Sequence, residues 1–131
     1  MKKAIVIIPT YNEKDNIEIT VSAIFDVFAK INSWEMNILV VDDSSPDKTY
    51  DLVRKLQKKK KYSSKLHLLI NKQKAGLGAA YLKGMEKAFG DLKADVVFEF
   101  DADLSHDETK IPLFLDRIDQ GDDLVLGSRY K

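Results

Sequence analysis

The chain has 131 residues, 44% of them hydrophobic, which is enough for one domain with a buried core. Its 21 basic and 21 acidic residues cancel, so no global electric field favours nucleic acid or an anionic membrane as a partner. The absence of cysteine excludes disulfides and thiol chemistry and fits a reducing compartment, and two histidines are too few for a typical zinc site.

Strands and helices are predicted to alternate along the chain. The continuous apolar run AIVIIP at residues 4–9 is typical of a strand that is covered on both faces. Helical spacing then places five apolar residues on one face of a helix, namely Ile17, Val21, Ile24, Phe28 and Ile31. The remaining predicted elements are strands at residues 36–41, 66–70, 96–100 and 124–126 and helices at residues 47–60, 77–89 and 111–118.

This alternation predicts an α/β fold with a mostly parallel sheet, because right-handed crossovers place helices on both faces of such a sheet. Ligands of these sheets bind beyond the carboxyl ends of the strands. A polar cluster follows each predicted strand, namely PTYNE (9–13), DDSSPD (42–47), NKQKAGLG (71–78), DADLSH (101–106) and GSRY (127–130). One such cluster would be ordinary turn chemistry, whereas five at the same edge predict a binding site.

The tripeptide Asp101-Ala102-Asp103 carries two carboxylates at the exit of a predicted strand. Both can turn toward one hard cation, and oxygen ligands suit Mg²⁺ or Mn²⁺ rather than zinc. Two carboxylates leave an octahedral ion with positions for water and for phosphate oxygens. The alternative interpretation is that Asp101 caps the following turn and that Asp103 is solvated.

The glycines at positions 76 and 78 raise the question of a nucleotide-binding turn. They follow the third predicted strand, and Tyr81 stands where a dinucleotide fingerprint would have its third glycine, so a nicotinamide site is disfavoured. The chain has no P-loop motif either. Backbone N–H groups at this helix start, with Lys72 and Lys74 beside them, could bind an anion, or the glycines could simply allow a tight turn.

Other residues also have both a structural and a functional interpretation. Arg129 could bind a phosphate or be a surface arginine, and Tyr11 and Glu13 could pack at the first helix or contact a ligand. The KKKK run at 58–61 is interpreted as a solvated helix end. ILVVDD at 38–43 is typical of a phosphoacceptor receiver domain, but a complete strand–helix unit precedes it and GSR stands where a receiver would have Lys-Pro.

The ordered clusters resemble those of the family 2 glycosyltransferases with the GT-A fold, and most closely the dolichol-phosphate (polyprenol-phosphate) mannosyltransferases. The matching segments are IPTYNE (8–13), VDDSSPD (41–47), GLGAAY (76–81), DADLSH (101–106) and GSRY (127–130), which together cover nearly the entire chain. The resemblance implies a Rossmann-like three-layer sandwich with a mostly parallel central sheet. It also implies a single catalytic domain over residues 1–131, truncated at its carboxyl end and part of a longer protein.

The same resemblance implies roles for individual residues. The predicted nucleotide contacts are Pro9, Tyr11, Glu13, Asp42, Asp43, Lys74 and Ala102, with the adjacent aspartates at the base or ribose. The predicted ligands of a Mg²⁺ or Mn²⁺ ion on the diphosphate are Asp101, Asp103 and Ser105. Asp103 and Arg129 are the predicted catalytic residues, and Arg129 is expected to face the acceptor phosphate.

The implied reaction transfers a sugar, commonly mannose from GDP-mannose, to a polyprenol (dolichol) phosphate with inversion at the anomeric carbon. The donor could instead be a UDP-sugar, and the acceptor could be another lipid phosphate or a glycan hydroxyl. A hydroxyl acceptor would need a general base to remove its proton. Relatives continue past GSRY into segments that contact the membrane, so we expect peripheral contact with its cytoplasmic face through that missing part. We expect residues 1–131 alone to bind the donor with reduced or absent transfer activity.

Overall fold

In a computed structural model of the protein, which describes residues 1–103 and 105–121, four strands alternate with four helices. The strands are β1 (Lys3–Thr10), β2 (Glu35–Asp42), β3 (Leu66–Ile70) and β4 (Val96–Glu99). The helices are α1 (Ile17–Phe28), α2 (Thr49–Gln57), α3 (Leu77–Phe89) and α4 (Ile111–Asp119), with a 3₁₀ turn at Glu108–Lys110. The predicted alternation is confirmed as far as α4, and the predicted strand at 124–126 lies outside the described residues.

All four strands run parallel, in the order β3-β2-β1-β4. β1 pairs with β2 along its whole length, from Lys3 opposite Glu35 to Thr10 opposite Asp42. β4 pairs with the other side of β1, and β3 with the other side of β2. The loops that follow the strands therefore leave the same edge of the sheet, and the first four predicted polar clusters lie at that edge.

The helices cover both faces of the sheet, which confirms the predicted three layers. Successive side chains of a strand point to opposite faces, and those of β1 divide accordingly. Ala4, Val6 and Ile8 pack in one core cluster with buried residues of α1, α2 and α4. Ile5 and Ile7 pack in a second cluster with buried residues of α3.

Helix α3 approaches the sheet closely at Gly84. A Cβ atom at this position would lie 2.8 Å from Cγ2 of Ile7 and 3.1 Å from Cγ2 of Val41. The missing side chain therefore lets the helix lie against the two central strands. This contact fixes α3, whose first residues reach the edge where the polar clusters meet.

The first helix is shorter than predicted. α1 ends at Phe28, so the prediction that Ile31 shares its helical face is wrong. The N–H groups of Lys30 and Ile31 bond to carbonyl groups three residues earlier, which tightens the chain into a turn. Ile31 still packs against the larger core cluster, so its apolar character is explained by tertiary contact rather than by the helix.

The second helix is also shorter than the predicted range 47–60. α2 begins at Thr49, after Lys48 has adopted a left-handed backbone conformation with φ of 61°. It ends at Gln57, and the N–H groups of Lys58 and Lys59 bond three residues back, so the KKKK run follows the helix end. None of the helices within residues 1–103 and 105–121 has the length and apolar character needed to cross a bilayer.

Candidate functional site

The loops that follow β1 and β2 are held together by hydrogen bonds. The backbone N–H of Asn12 donates to the Ser45 hydroxyl at 3.0 Å, and that of Glu13 donates to the Thr49 hydroxyl at 3.1 Å. In the opposite direction, the N–H of Asp47 donates to Oδ1 of Asn12 at 3.1 Å. Residues 45–49, at the end of the DDSSPD segment and the start of α2, therefore fix the backbone of the PTYNE segment.

Asp42 is fully buried behind these loops. Its Oδ1 accepts hydrogen bonds from the hydroxyl groups of Thr10 and Ser45, both at 2.7 Å, and its Oδ2 accepts one from the Ser45 N–H at 2.9 Å. A buried carboxylate needs such partners. Asp42 thus joins the ends of β1 and β2 from inside the protein.

Asp43 holds the loop between β3 and α3. Its carboxylate accepts hydrogen bonds at 3.0 Å from the N–H groups of Ala75 and Gly76 and one at 3.2 Å from the Asn71 side chain. Burial raises the pKa of this carboxyl, but these hydrogen bonds and the charge of Lys74 outweigh that effect, so the pKa lies below its usual value of 3.8. Asp43 is therefore ionised at neutral pH.

The loop that Asp43 anchors places a cation over an aromatic ring. Nζ of Lys74 lies 4.1 Å from the centre of the Tyr11 ring, which is a cation–π geometry. At the end of this loop, Gly76 has φ of +90°, a conformation that L side chains rarely adopt. Glycine is therefore favoured at position 76, in the turn that starts α3, which agrees with the interpretation that the glycines allow a tight turn.

Asp101 lies just beyond β4, with partners on both carboxylate oxygens. The Tyr81 hydroxyl donates to Oδ1 at 3.3 Å, and the Ser105 hydroxyl donates to Oδ2 at 3.0 Å. The side chain of Asp101 is 28% exposed, so the carboxylate still reaches solvent. Its orientation is set by the protein before any ligand binds.

Asp103 is exposed and shares Ser105 with Asp101. The Ser105 N–H donates to Oδ1 of Asp103 at 3.0 Å, so one serine contacts both aspartates. Hydrogen bonding to the side chain and backbone of Ser105 lowers the pKa of Asp103 below its usual value of 3.8, despite some burial. Asp103 is therefore exposed, as the solvated interpretation expected, and is linked to Asp101 through Ser105, while a shared cation stays a prediction.

A cleft of about 370 Å³ opens at the carboxyl ends of β1, β2 and β4. The predicted site residues that line it are Pro9, Tyr11, Glu13, Asp43, Lys74, Asp101, Ala102 and Asp103. Asp42 is enclosed behind the cleft. Ser105 is not among the residues that line the cleft, but it contacts two that are, Asp101 and Asp103. Arg129 lies outside the described residues, so its predicted role stays a prediction.

The cleft has further lining residues that were not among the predicted site residues, namely Thr10, Gly76, Leu77 and Ala80. Thr10 lies inside the PTYNE motif, so its position in the sequence was a usable signal. Ala80 is a small buried residue one helical turn after Gly76, and its contribution is space rather than a chemical group. Ala80 also lies inside the matching segment GLGAAY, so its position in the sequence was a usable signal as well.

The charges of the cleft indicate what can bind there. Among its described lining residues are four acids, Glu13, Asp43, Asp101 and Asp103, and one base, Lys74. No cluster of three or more potential metal ligands of the His, Cys, Asp or Glu types occurs in residues 1–103 and 105–121. Asp101 and Asp103 nevertheless fit a Mg²⁺ or Mn²⁺ ion, which typically takes one or two carboxylates and fills its other positions with water and phosphate oxygens.

Two curated proteins are similar to almost the whole chain. A polyprenol monophosphomannose synthase from Mycolicibacterium smegmatis is 39% identical over 130 residues, which are 98% of this chain and 46% of that protein. A dolichol-phosphate mannosyltransferase from Pyrococcus furiosus is 38% identical over 128 residues, which are 98% of this chain and 33% of that protein. The chain thus spans less than half the length of these relatives.

Solved structures are also similar. The mannosyltransferase PcManGT from Pyrobaculum calidifontis, in complex with GDP-Man and Mn²⁺, matches with a TM-score of 0.61 and 27% identity over 76% of this chain and 27% of that one. TarS 1-349 from S. aureus with UDP-GlcNAc matches with a TM-score of 0.64 and 25% identity over 92% of this chain and 32% of that one. Both neighbours are GT-A glycosyltransferases, which confirms the predicted fold class. The Glycosyl transferase family 2 profile matches residues 5–131, and the chain belongs to that family.

Proposed function

We propose that the protein to which this chain belongs transfers mannose from GDP-mannose to a polyprenol phosphate, with inversion at the anomeric carbon. The observation that carries this proposal is that Asp101 and Asp103 line the same cleft as Pro9, Tyr11 and Glu13 of the PTYNE motif. The family relationship and the names of the two curated relatives support it. Because the chain belongs to the Glycosyl transferase family 2, the receiver-domain interpretation is rejected.

The nucleoside is proposed to bind at the end of the cleft formed by Tyr11, Lys74 and Asp43. The Tyr11 ring and the Lys74 ammonium group offer a flat surface and a positive charge to an anionic ligand. Three donors already occupy most of the about four lone-pair sites of the Asp43 carboxylate. We therefore assign Asp43 one contact with the base or ribose, beside its role in holding the loop.

The diphosphate is proposed to extend from there toward Asp101 and Asp103, where it still benefits from the positive charge of Lys74 in the same cleft. Among the described residues that line the cleft are four carboxylates and one ammonium group, so an anionic diphosphate meets unfavourable charge from them unless a cation accompanies it. Asp101 and Asp103, with Ser105 beside them, would hold this cation. When bound, Mg²⁺ or Mn²⁺ would stabilise the negative charge that develops on the departing nucleoside diphosphate.

The acceptor phosphate is proposed to attack the anomeric carbon directly. A lipid phosphate is ionised near neutral pH, so this reaction needs no general base to remove a proton. Arg129 is proposed to bind that phosphate, since a guanidinium group can contact it through two hydrogen bonds. Because the acceptor is a membrane lipid, we place the reaction at the membrane surface on its cytoplasmic side.

A second candidate is a family 2 transferase that uses a UDP-sugar. One observation favours it, which is the similarity of the fold to TarS 1-349 in complex with UDP-GlcNAc. The identity to the GDP-Man complex is similarly low, 27% against 25%. The higher identity to the polyprenol and dolichol enzymes makes GDP-mannose our first choice.

The test is a transfer assay with the full-length protein. Polyprenol phosphate and MnCl₂ are incubated with GDP-mannose, UDP-GlcNAc or UDP-glucose, and the lipid products are identified by mass spectrometry. We expect a mannosyl-phosphate lipid from GDP-mannose and little product from the UDP-sugars. Preferential transfer from a UDP-sugar would establish the second candidate, and no transfer to any lipid phosphate would overturn the proposed acceptor.

A further inference from the structure

His106 has an unusual environment next to the proposed site. Its side chain is 9% exposed, and its ring packs edge-on against Phe100, with ring centres 5.3 Å apart and an angle of 84° between the planes. Nδ1 of the ring accepts a hydrogen bond from the backbone N–H of Asp101 at 3.3 Å. Because Nδ1 is the acceptor, the neutral ring carries its proton on Nε2.

The protonated nitrogen faces the carboxylate of the same aspartate. Nε2 of His106 lies 3.5 Å from Oδ2 of Asp101, beyond normal hydrogen-bonding distance, and it is buried without a hydrogen-bond partner among residues 1–103 and 105–121. A buried donor without a partner is unfavourable. Here it points at a carboxylate that needs to move by only a few tenths of an ångström to accept the bond.

We propose that His106 is a positioning residue that holds Asp101 in the orientation required for a divalent cation. The ring accepts a hydrogen bond from the Asp101 backbone and faces Oδ2 at 3.5 Å, while the hydroxyl groups of Ser105 and Tyr81 donate to the carboxylate. This inference rests on the proposed function, since it requires a cation at Asp101 and Asp103. Removing a group that orients a metal ligand typically weakens metal binding by about 10- to 100-fold.

The first test compares the same substitution at two histidines. His106→Phe keeps a ring against Phe100 but removes both nitrogen atoms. His67→Phe is the matched control, because His67 lies near the start of β3, at the opposite edge of the sheet from the cleft. We expect Mn²⁺ binding in the presence of GDP, followed by electron paramagnetic resonance of free Mn²⁺, to weaken by about 10-fold or more in His106→Phe and by less than about twofold in His67→Phe.

A merely structural role predicts a different pattern. If His106 only supported the fold, His106→Phe would lower the melting temperature and would also weaken GDP binding in EDTA. We expect GDP binding in EDTA to stay within about twofold of the unsubstituted protein, so that the loss is confined to the part of binding that depends on the cation. If His106→Phe reduced GDP affinity by the same factor with Mn²⁺ and in EDTA, the positioning role would be overturned.

The second measurement uses the unsubstituted protein and does not depend on the folding of a variant. Long-range ¹H–¹⁵N spectra of the imidazole rings report which nitrogen carries the proton. We expect the neutral His106 ring to carry its proton on Nε2 and, in the presence of GDP, its signals to shift as Mg²⁺ is added, over the range of Mg²⁺ concentration in which GDP binding becomes tighter. A proton on Nδ1, or signals that do not respond to Mg²⁺ while GDP binding does, would overturn the proposal.

The outcomes separate this inference from the proposed function. Cation binding by the unsubstituted protein that persists in His106→Phe would refute the positioning role and leave the proposed function intact. If the unsubstituted protein bound no cation in the presence of GDP, the proposed cation site and the role of His106 would both be refuted.

Discussion

The Thr10 hydroxyl donates a 2.7 Å hydrogen bond to Oδ1 of Asp42, and this contact joins the carboxyl ends of β1 and β2. Thr10 is 2% exposed and Asp42 is not exposed at all. Thr10 also lines the cleft, so the hydrogen bond connects the cleft wall to the interior of the protein. The first of the two adjacent aspartates therefore has a structural role that does not depend on any ligand.

Replacing Asp42 with alanine is expected to destabilise the protein. The substitution leaves buried donors of Thr10 and Ser45 without an acceptor, which costs about 1–3 kcal/mol of unfolding free energy. Urea denaturation followed by circular dichroism measures the change. Asp15→Ala, at an exposed aspartate, is the control and should change stability by less than about 0.5 kcal/mol. Equal stability of the two variants would contradict the structural role of Asp42.

The contribution of Asp43 to stability should depend on pH. Its pKa is lowered in the folded protein, because the hydrogen bonds to its carboxylate and the charge of Lys74 outweigh the effect of burial. A lowered pKa stabilises the fold above the unfolded value of 3.8, and this stabilisation is lost as pH falls through the lower folded value. The difference in unfolding free energy between the unsubstituted protein and Asp43→Asn is thus expected to shrink between pH 6 and pH 3. Urea titrations at several pH values test this, and a difference that is constant or grows toward acid would contradict it.

Two glycines of α3 should respond in opposite ways to alanine. At Gly84 a Cβ atom would lie 2.8 Å from Cγ2 of Ile7, and such overpacking typically costs about 1–3 kcal/mol. At Gly78 no atom lies within 4 Å of the added Cβ, so Gly78→Ala should gain up to about 1 kcal/mol from helix propensity. Thermal unfolding of both variants measures the contrast. Stabilisation by Gly84→Ala would show that α3 does not approach the sheet as described.

Lys74 is expected to strengthen nucleotide binding. It is the one basic residue among the described residues that line the cleft, and its ammonium group lies over the Tyr11 ring. Lys74→Met should weaken GDP binding by about fivefold, since a partly solvated charge contact contributes about 1 kcal/mol. Lys72→Met, at an exposed lysine of the same loop outside the cleft lining, should change affinity by less than twofold. Calorimetry at low and high salt tests this, and equal effects of the two substitutions would contradict the role of Lys74.

Much of the fold could be predicted because its signals are local. The apolar runs of β1 and β2 and the spacing of Ile17, Val21 and Ile24 indicate their elements directly, and the residues of α3 were predicted at both ends. The carboxyl ends of α1 and α2 could not be predicted from the sequence. Turns in which an N–H bonds to the carbonyl three residues earlier end these helices before their apolar or charged patterns end. The 3₁₀ turn before α4 has no periodic signal of its own.

The position of the site could be predicted from the sequence, whereas the different roles of its residues could not. Parallel strands bring the clusters after them to one edge, which places Tyr11, Asp43 and Asp101 around one cleft. The difference between Asp42 and Asp43 could not be read from the sequence. Adjacent residues at a strand end point in opposite directions, and only the three-dimensional contacts show that Asp42 is enclosed while Asp43 reaches the cleft.

The most direct test of the account is calorimetry of GDP-mannose binding with Mn²⁺ and with EDTA. The unsubstituted protein is expected to bind at least about 10-fold more tightly with Mn²⁺, and Asp103→Ala should abolish that difference. Asp116→Ala, at an exposed aspartate of α4, should retain it. Equal affinity in Mn²⁺ and EDTA for the unsubstituted protein would contradict the claim that Asp101 and Asp103 hold a cation on the donor diphosphate.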